Sequence, residues 1–234
     1  MSLPLPTSLS PSKVSSFKEC ALAFRLSCID RLPEPPSLPA AKGTLVHRAL
    51  QLLFWEFEPG DRTPAAASAA LARAVPDVLD GSEYAALELA GEEREEFVAD
   101  AATLVANHFT LEDPNQVRVI GTELRMSVAL GSLTLSGIID RLELDADGEP
   151  VVTDYKTGRA PSEAYEQARL GGVQFYAFLC EQVLGRRPAR VQLLHLREPM
   201  AIVATPSDQS LRGLRQQTEA IWRAVERACA EEDF

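Results

Sequence analysis

Two short stretches decide the fold, GIIDR at residues 137–141 and DYKTG at residues 154–158. Both lie in segments rich in β-forming residues, and the Asp147-Gly148 pair between them is typical of a hairpin turn. Counting outward from that turn, Asp140 and Asp154 are near-opposite partners on antiparallel strands. The pattern therefore predicts a β-hairpin that holds two carboxylates side by side.

The hairpin belongs to a longer run of predicted strands. Three successive segments predict an antiparallel meander: residues 117–128, 133–144 and 151–156. The segments after them predict a helix, two strands and a final amphipathic helix: residues 162–184, 189–196, 200–205 and 208–230. This order predicts an α/β or α+β sheet with helices packed on it.

The first half of the chain is predicted to be helical. Ser10 followed by proline is typical of a helix start, and a helix over about residues 17–26 is followed by a proline-rich loop. A second, amphipathic helix begins near Gly43 and ends at Pro59-Gly60. Residues 61–113 are rich in alanine and glutamate and predict two or three more helices. We interpret this segment, called the helical lobe below, as an insertion before the sheet.

The hairpin carries residues suited to hydrolysis of a phosphodiester bond. Because side chains alternate along a strand, Asp154 and Lys156 project from the same face. Asp140 and Asp154 can bind Mg²⁺ or Mn²⁺ as hard oxygen ligands, and the cation also offsets the repulsion between them. Lys156 can orient a water and stabilise developing charge. The alternative is an ordinary pair of aspartates flanking a turn, with a surface lysine.

His47 extends this set of residues. It lies on the helix that begins near Gly43, at the edge of the apolar stripe. A neutral imidazole is a tolerable ligand for a manganese or magnesium site. Gly43 lies one turn earlier on nearly the same side, where a missing side chain lets another backbone approach. The alternative is a histidine at the boundary of the core, without a role in chemistry.

With these motifs in this order, the chain resembles the PD-(D/E)XK nucleases, specifically the RecB-like exonuclease branch that includes AddB and Cas4. Five stretches carry the resemblance: SPSKVSSFKEC at 10–20, GTLVH at 43–47, GIIDR at 137–141, DYKTG at 154–158 and QFYA at 174–177. The resemblance implies one nuclease domain over residues 1–234. Its α/β core would be restriction-endonuclease-like, a central mixed sheet of about five strands flanked by helices, with a helical insertion at about 61–113.

The resemblance also implies roles for single residues. The metal ligands would be His47, Asp140, Asp154 and the backbone carbonyl of Tyr155. Lys156 would be the catalytic lysine, acting with Asp154 and Asp140, and Glu123 would assist. Six residues would contact DNA: Lys13, Ser15, Arg141, Thr157, Gln174 and Tyr176. An alternative role for Arg141 is to hold Asp154.

Two features depart from the family pattern. Gln174 and Tyr176 are two residues apart instead of the usual four, so they cannot share one helix face, and we expect Tyr176 to contact the site. Relatives with an iron–sulfur cluster bind it through one cysteine before the histidine helix and three near the C-terminus. Cys20 would be the only matching ligand, because no cysteine follows Cys229. An iron–sulfur cluster is therefore not expected in this chain.

Composition restricts the other function classes. No apolar run approaches the ~20 residues that span a membrane, and no secretory signal or phosphate-binding loop for ATP is present in the sequence. The net charge is −11, but −8 of it falls within residues 61–130, so an acidic surface does not exclude a DNA substrate. We expect a cytoplasmic protein.

The leading interpretation is a Mg²⁺- or Mn²⁺-dependent deoxyribonuclease, a RecB-like exonuclease of DNA repair or recombination. The resemblance implies DNA as the substrate and a helicase or recombination protein as a partner. One alternative is a nuclease fold retained as a DNA- or protein-binding module with weak catalysis. The other is a metallohydrolase that acts on small phosphoesters.

Overall fold

The computed structural model describes residues 2–159 and 163–234, with the backbone alone for residues 163–171. In this part of the chain one sheet has five strands in the order β1-β2-β3-β4-β5. The strands are β1 (Arg118–Leu130), β2 (Leu133–Leu144), β3 (Pro150–Lys156), β4 (Arg190–His195) and β5 (Met200–Ala204). The first three form an antiparallel meander, β3 pairs with β4 in parallel, and β4 pairs with β5 antiparallel. The predicted mixed sheet of about five strands is confirmed.

Helices flank this sheet. They are α1 (Pro11–Glu19), α2 (Ala21–Phe24), α3 (Leu38–Glu56), α4 (Pro64–Leu79), α5 (Gly91–Leu111), α6 (Glu163–Leu184) and α7 (Asp208–Glu231). A π-helical turn (Arg25–Ile29) continues α2, and 3₁₀ turns lie at Ala85–Leu87 and Pro114–Gln116. None of the described helices is both long and apolar enough to cross a membrane.

In the first half of the chain, the helix start predicted at Ser10 is confirmed, and the other predicted helix bounds need correction. The helix predicted over residues 17–26 already begins at Pro11, where Ser10 accepts a hydrogen bond from the Lys13 N–H, and it breaks at the extended residue Cys20. The helix predicted to begin near Gly43 begins at Leu38. The reason lies in the first turn of a helix, which tolerates proline because its N–H groups have no partner within the helix. The last proline of the predicted loop therefore opens α3.

The two faces of the sheet are covered by different helices. One apolar core joins β1 and β2 to α1, α6 and α7, and the other joins α3, α4 and α5 to β3 and β4. Strand β3 alternates between them, because Val152 packs in the first core and Tyr155 in the second. Asp154 and Lys156 therefore project on the α6 face, and the Tyr155 side chain projects toward the helical lobe.

Strand β2 pairs with β1 along its whole length, but its other edge has two different partners. Its later half pairs with β3, up to Arg141 opposite Thr153. Its earlier half pairs with the N-terminal segment, where the Leu9 N–H donates to Thr134 O (2.8 Å) and the Ser136 N–H donates to Leu9 O (2.9 Å). This second pairing places α1 beside residues 137–140, where a cleft opens.

Candidate active site

Three adjacent strands each contribute one carboxylate to the floor of the cleft. Asp140 and Asp154 follow the Arg141–Thr153 pair by one step in the β2–β3 register, as the hairpin count predicted. Glu123 of β1 lies opposite Asp140, between the Thr122–Arg141 and Leu124–Ile139 pairs. The carboxylates thus form a row across β1, β2 and β3.

His47 reaches this row from α3. Its Nδ1 lies 3.5 Å from Asp140 Oδ2, and its Nε2 lies 3.1 Å from the carbonyl oxygen of Tyr155. The Tyr155 N–H in turn donates to Asp140 Oδ2 at 2.7 Å. Gly43 lies one turn before His47, and a Cβ added there would meet only Thr157 Oγ1, at an ordinary contact distance of 3.4 Å, so α3 packs beside the residue that follows β3.

The arrangement contains a group of atoms that fits a divalent cation. One ligand atom each from His47, Glu123 and Asp140 lies within 4.8 Å of the others. In the described residues this group includes Glu123 where the resemblance implies Asp154, and the Asp154 carboxylate forms an ion pair with Lys156 Nζ. Imidazole, carboxylate and carbonyl groups are suitable donors for Mn²⁺ or Mg²⁺.

The electrostatics of the group follow from crowded carboxylates. Burial raises the pKa of Asp154, and the charge of Asp140 adds to this, while Lys156 and His47 oppose it. Burial and the charge of Asp140 also raise the pKa of Glu123. For His47, burial lowers the pKa, but the hydrogen bond and charge of Asp140 outweigh it, so the net pKa is raised. A cation placed among these groups therefore relieves repulsion that is otherwise met by bound protons.

Tyr176 covers Asp154 from α6. Burial raises the pKa of Tyr176, and its hydrogen bond to Asp154 and the nearby carboxylate charges raise it further. Gly137 makes room for this ring, since a Cβ there would lie 3.3 Å from the Tyr176 ring and 3.0 Å from Leu179 Cδ1. Tyr176 lines the cleft, and Gln174 is not among the described residues that line it.

Positive side chains surround the carboxylates in a cleft of about 1340 Å³. Besides Lys156, the cleft is lined by Lys13 and Lys18 of α1, Arg125 of β1 and Arg159 after β3. Ser15 also lines it. In a chain with a net charge of −11, this local concentration of cations suits an anionic ligand that lies across the metal-binding group.

A family model described as the PD-(D/E)XK nuclease superfamily matches residues 8–233. The chain belongs to this superfamily. Among solved structures, it is similar to a protein from Eubacterium rectale titled "Putative exonuclease", with a TM-score of 0.60 and 11% identity over 97% of this chain and 83% of that one. SSO0001 matches with a TM-score of 0.36 and 11% identity over 90% of this chain and 81% of that one, a likeness too low to support an argument. No curated protein matches the sequence.

One residue of this PD-(D/E)XK chain lies far from its predicted place. Arg141 is fully buried on the face of the sheet opposite the cleft. Its guanidinium binds Glu112 of the segment after α5, Glu143 of β2 and the Tyr155 hydroxyl. The interpretation of Arg141 as a residue that contacts DNA or holds Asp154 is therefore wrong, because neighbouring residues on a strand point to opposite faces.

Sequence reasoning missed several residues of the PD-(D/E)XK site. Arg125 follows Glu123 by two residues on the same strand, and the alternation of side chains is a signal for it. Lys18 follows Lys13 by five residues on α1, which gives a weaker signal. Arg159 directly follows the DYKTG stretch. Glu112 has no signal in the sequence, because its partner Arg141 is far away in the chain.

Glu123 adopts an unusual backbone conformation, with φ of +50° within β1. This left-handed conformation costs a non-glycine residue about 1–2 kcal/mol. We expect Glu123→Gly to be more stable than Glu123→Ala by about 1 kcal/mol, because only glycine relieves the strain and both lose the carboxylate. Urea unfolding of the two variants measures the difference, and equal stabilities would show that the strand is unstrained there.

Because the pKa of Asp154 is raised, replacing this carboxyl is expected to change the thermal stability of the protein. A carboxyl whose folded pKa is raised contributes stability below its unfolded pKa, and this is lost as the pH rises through the folded pKa. We therefore expect Asp154→Asn to raise the thermal midpoint of the metal-free protein at pH 7, with the gain disappearing in acid. Mn²⁺ should raise the midpoint of the unaltered protein more than that of the variant.

Calorimetric scans at several pH values, with and without Mn²⁺, test this expectation. Asp147→Asn is the matched control, since Asp147 lies exposed in the β2–β3 turn and its substitution should leave both responses unchanged. A variant at Asp154 that is less stable than the unaltered metal-free protein at pH 7 would contradict the expectation.

Proposed function

We propose that this protein is a metal-dependent DNA nuclease, a RecB-like exonuclease that hydrolyses phosphodiester bonds in DNA repair or recombination. The observation that carries the proposal is the ion pair of Lys156 with Asp154 beside the group of His47, Glu123 and Asp140. A lysine and a carboxylate row together suit phosphodiester hydrolysis, which needs charge stabilisation at the phosphate and a positioned water.

The proposed metal ligands are His47, Asp140, Asp154 and the Tyr155 carbonyl, with Glu123 as a further carboxylate in reach. A bound Mg²⁺ or Mn²⁺ supplies a more acidic water and neutralises charge on the phosphate. Lys156 orients the attacking water and stabilises the charge that develops on the phosphate oxygens. The Tyr176 hydroxyl, which faces Asp154, would orient the Asp154 carboxylate.

The cleft residues divide the binding of DNA between them. Lys13, Lys18, Arg125 and Arg159 all line the cleft, and the charge of Arg125 acts on Glu123. Phosphate contacts from such side chains position a strand without reading its bases. We propose Lys13, Ser15 and Tyr176 as DNA contacts on this basis, and we expect binding to weaken steeply with salt.

The exonuclease assignment and the partner rest on likeness. The similar structure from Eubacterium rectale is titled an exonuclease, and the five sequence stretches resemble the RecB-like branch. A cytoplasmic protein that acts with a helicase or a recombination protein is proposed from the resemblance alone.

End-labelled single- and double-stranded DNA with Mg²⁺, Mn²⁺ or EDTA tests the proposal. We expect product with either metal and none with EDTA, and small products that accumulate from one end. A circular single strand separates exonuclease from endonuclease action, because an exonuclease leaves it intact. Rapid cleavage of the circle would contradict the exonuclease assignment, and no cleavage with any metal would contradict the nuclease.

A binding module is the second candidate, favoured by the position of Gln174. The family pattern directs both Gln and Tyr to the site, and here only Tyr176 is among the described lining residues. This candidate predicts salt-sensitive DNA binding without product after long incubation with Mn²⁺.

A further inference from the structure

Behind the carboxylate row lies a buried polar network centred on Arg141. Its guanidinium donates to Glu112 Oε2 (2.9 Å), to the Tyr155 hydroxyl (2.8 Å) and to Thr153 Oγ1 (3.3 Å), and it also binds Glu143. We call these five side chains the Arg141 network. Arg141, Thr153 and Tyr155 are nearly or fully buried, and the Glu112 side chain is 17% exposed.

The network is extended at both ends by further polar contacts. His108 of α5 binds Glu112 Oε1 at 2.7 Å, and Gln192 of β4 donates to Thr153 Oγ1 at 2.8 Å. Arg141 also stacks over the ring of Phe54 of α3, 4.5 Å from its centroid. The network therefore ties the helical lobe and α3 to the strands β2, β3 and β4.

The peptide of Tyr155 connects this network to the active site. On the cleft side its N–H donates to Asp140 and its carbonyl contacts His47 Nε2. On the other side, the Tyr155 hydroxyl accepts a hydrogen bond from Arg141. The Tyr155 ring lies edge-on to the rings of His47 and His108, with centroids 6.0 and 5.7 Å away. One residue is thus held from behind by the network and holds two proposed metal ligands in front.

The charges in the network favour a single arrangement. Burial raises the pKa of Glu112, but the charge of Arg141 and the hydrogen bond from His108 outweigh it, which lowers the pKa of Glu112 to about 2. The lowered pKa of His108, caused by burial, keeps that ring neutral at pH 7. Glu112 therefore stays an anion that accepts a forked pair of hydrogen bonds from Arg141, and such a pair has a defined geometry.

We propose that Glu112 and Arg141, acting through the Tyr155 side chain, are positioning residues that fix the Tyr155 peptide between His47 and Asp140. The metal-binding group would thereby depend on the helical lobe, which contributes Glu112. This inference rests on the proposed metal-dependent nuclease function. Displacements of about 1 Å in a reacting geometry cost about 10²-fold in rate, so a small shift of the Tyr155 peptide is expected to be visible in catalysis.

The test uses Glu112→Gln and Tyr155→Phe in the full chain. Both keep the shape of the side chain, and the second removes only the hydroxyl that binds Arg141. We expect kcat for DNA cleavage and affinity for Mn²⁺ each to fall about 10-fold, with KM for DNA within about twofold, as is typical for partners of metal ligands.

Tyr84→Phe is a matched control. The Tyr84 hydroxyl hydrogen-bonds to Thr44 Oγ1 at 2.9 Å, and the ring is buried in the same core as Tyr155. This variant also loses one tyrosine hydroxyl, whose hydrogen bond is partly buried and lies outside the Arg141 network. We expect its stability to fall about as much as that of Tyr155→Phe, with kcat and Mn²⁺ affinity unchanged.

A signal from the metal-free protein makes the test independent of cleavage. The chain has four tyrosines, so ¹⁵N-tyrosine labelling gives few amide signals, and the one lost in Tyr155→Phe is that of Tyr155. We expect Glu112→Gln to move this signal and to speed its hydrogen exchange. If Glu112→Gln does not fold, the Mn²⁺ affinity of Tyr155→Phe is compared with that of Tyr84→Phe. A lower affinity in Tyr155→Phe alone supports the positioning role, and equal affinities overturn it.

The outcomes separate this inference from the proposed function. Unchanged kcat and Mn²⁺ affinity in both network variants would overturn the positioning role, even if their thermal midpoints fall. If the unaltered protein binds Mn²⁺ but cleaves no DNA, the nuclease proposal fails, and the amide signal and Mn²⁺ affinity still test the network. Equal losses in Tyr84→Phe would show a general effect of destabilisation and would also overturn the inference.

Discussion

Replacing Lys156 with alanine is expected to lower kcat for DNA cleavage by about 10²- to 10³-fold, while Mn²⁺ binding and the fold are retained. The reason is the position of the ammonium group, which pairs with Asp154 at the carboxylate row and is 37% exposed to the cleft. Groups that stabilise charge developing at the reacting centre have effects of this size. The fold is expected to tolerate the change, because Lys156 itself is only partly buried and the Asp154 carboxyl, whose pKa burial already raises, can bind a proton in place of the lost cation.

Lys18→Ala is the control that distinguishes chemistry from binding. Lys18 also lines the cleft but projects from α1, and it is exposed. Loss of one phosphate contact should raise KM for DNA and reduce the salt dependence of binding, with little change in kcat. Cleavage by Lys156→Ala at the rate of the unaltered protein would remove Lys156 from the mechanism. Loss of Mn²⁺ binding in that variant would instead indicate a role in holding the metal site together.

The register of the hairpin could be predicted because its causes are local. A two-residue periodicity and one turn place Asp140 and Asp154 opposite each other, and the β2–β3 pairing agrees with that count. The prediction that Gln174 and Tyr176 point to different sides of one helix also rests on local geometry, since two residues turn a helix by about 200°. These parts of the site depend only on the geometry of one strand pair or one helix.

For Arg141, the motif resemblance predicts the wrong position, whereas the alternation of side chains along the strand predicts the right one. The alternation of side chains already directs Arg141 away from Asp140, but the resemblance to a nuclease motif suggested a role beside it. What alternation cannot show is the partner, because Glu112 reaches Arg141 only when α5 packs beside the sheet. Likewise, the left-handed conformation of Glu123 has no signature in the neighbouring residues of the sequence.

Replacing Arg141 with methionine is expected to lower the free energy of unfolding by about 3–5 kcal/mol, the cost of removing one partner from a buried ion pair. Methionine fills a similar volume, so the loss comes from charge and hydrogen bonding. Glu112 and Glu143 would remain buried without their cation, and the Tyr155 hydroxyl and Thr153 would each lose a hydrogen bond. Denaturant unfolding measures the change, and a loss below about 1 kcal/mol would contradict the account of the network.

Arg186→Met is the matched control for this prediction. Arg186 pairs with Glu149 at 2.8 Å, with both side chains about half exposed, so its removal should change the stability by no more than about 0.5 kcal/mol. The pH dependence gives a second test. A carboxyl with a lowered pKa contributes stability above its unfolded pKa and loses it as the pH falls through the folded value, about 2 for Glu112. The stability difference between the unaltered protein and Arg141→Met should therefore be large at neutral pH and shrink as the pH falls below about 4, because protonation of Glu112 removes the unpaired charge that destabilises the variant.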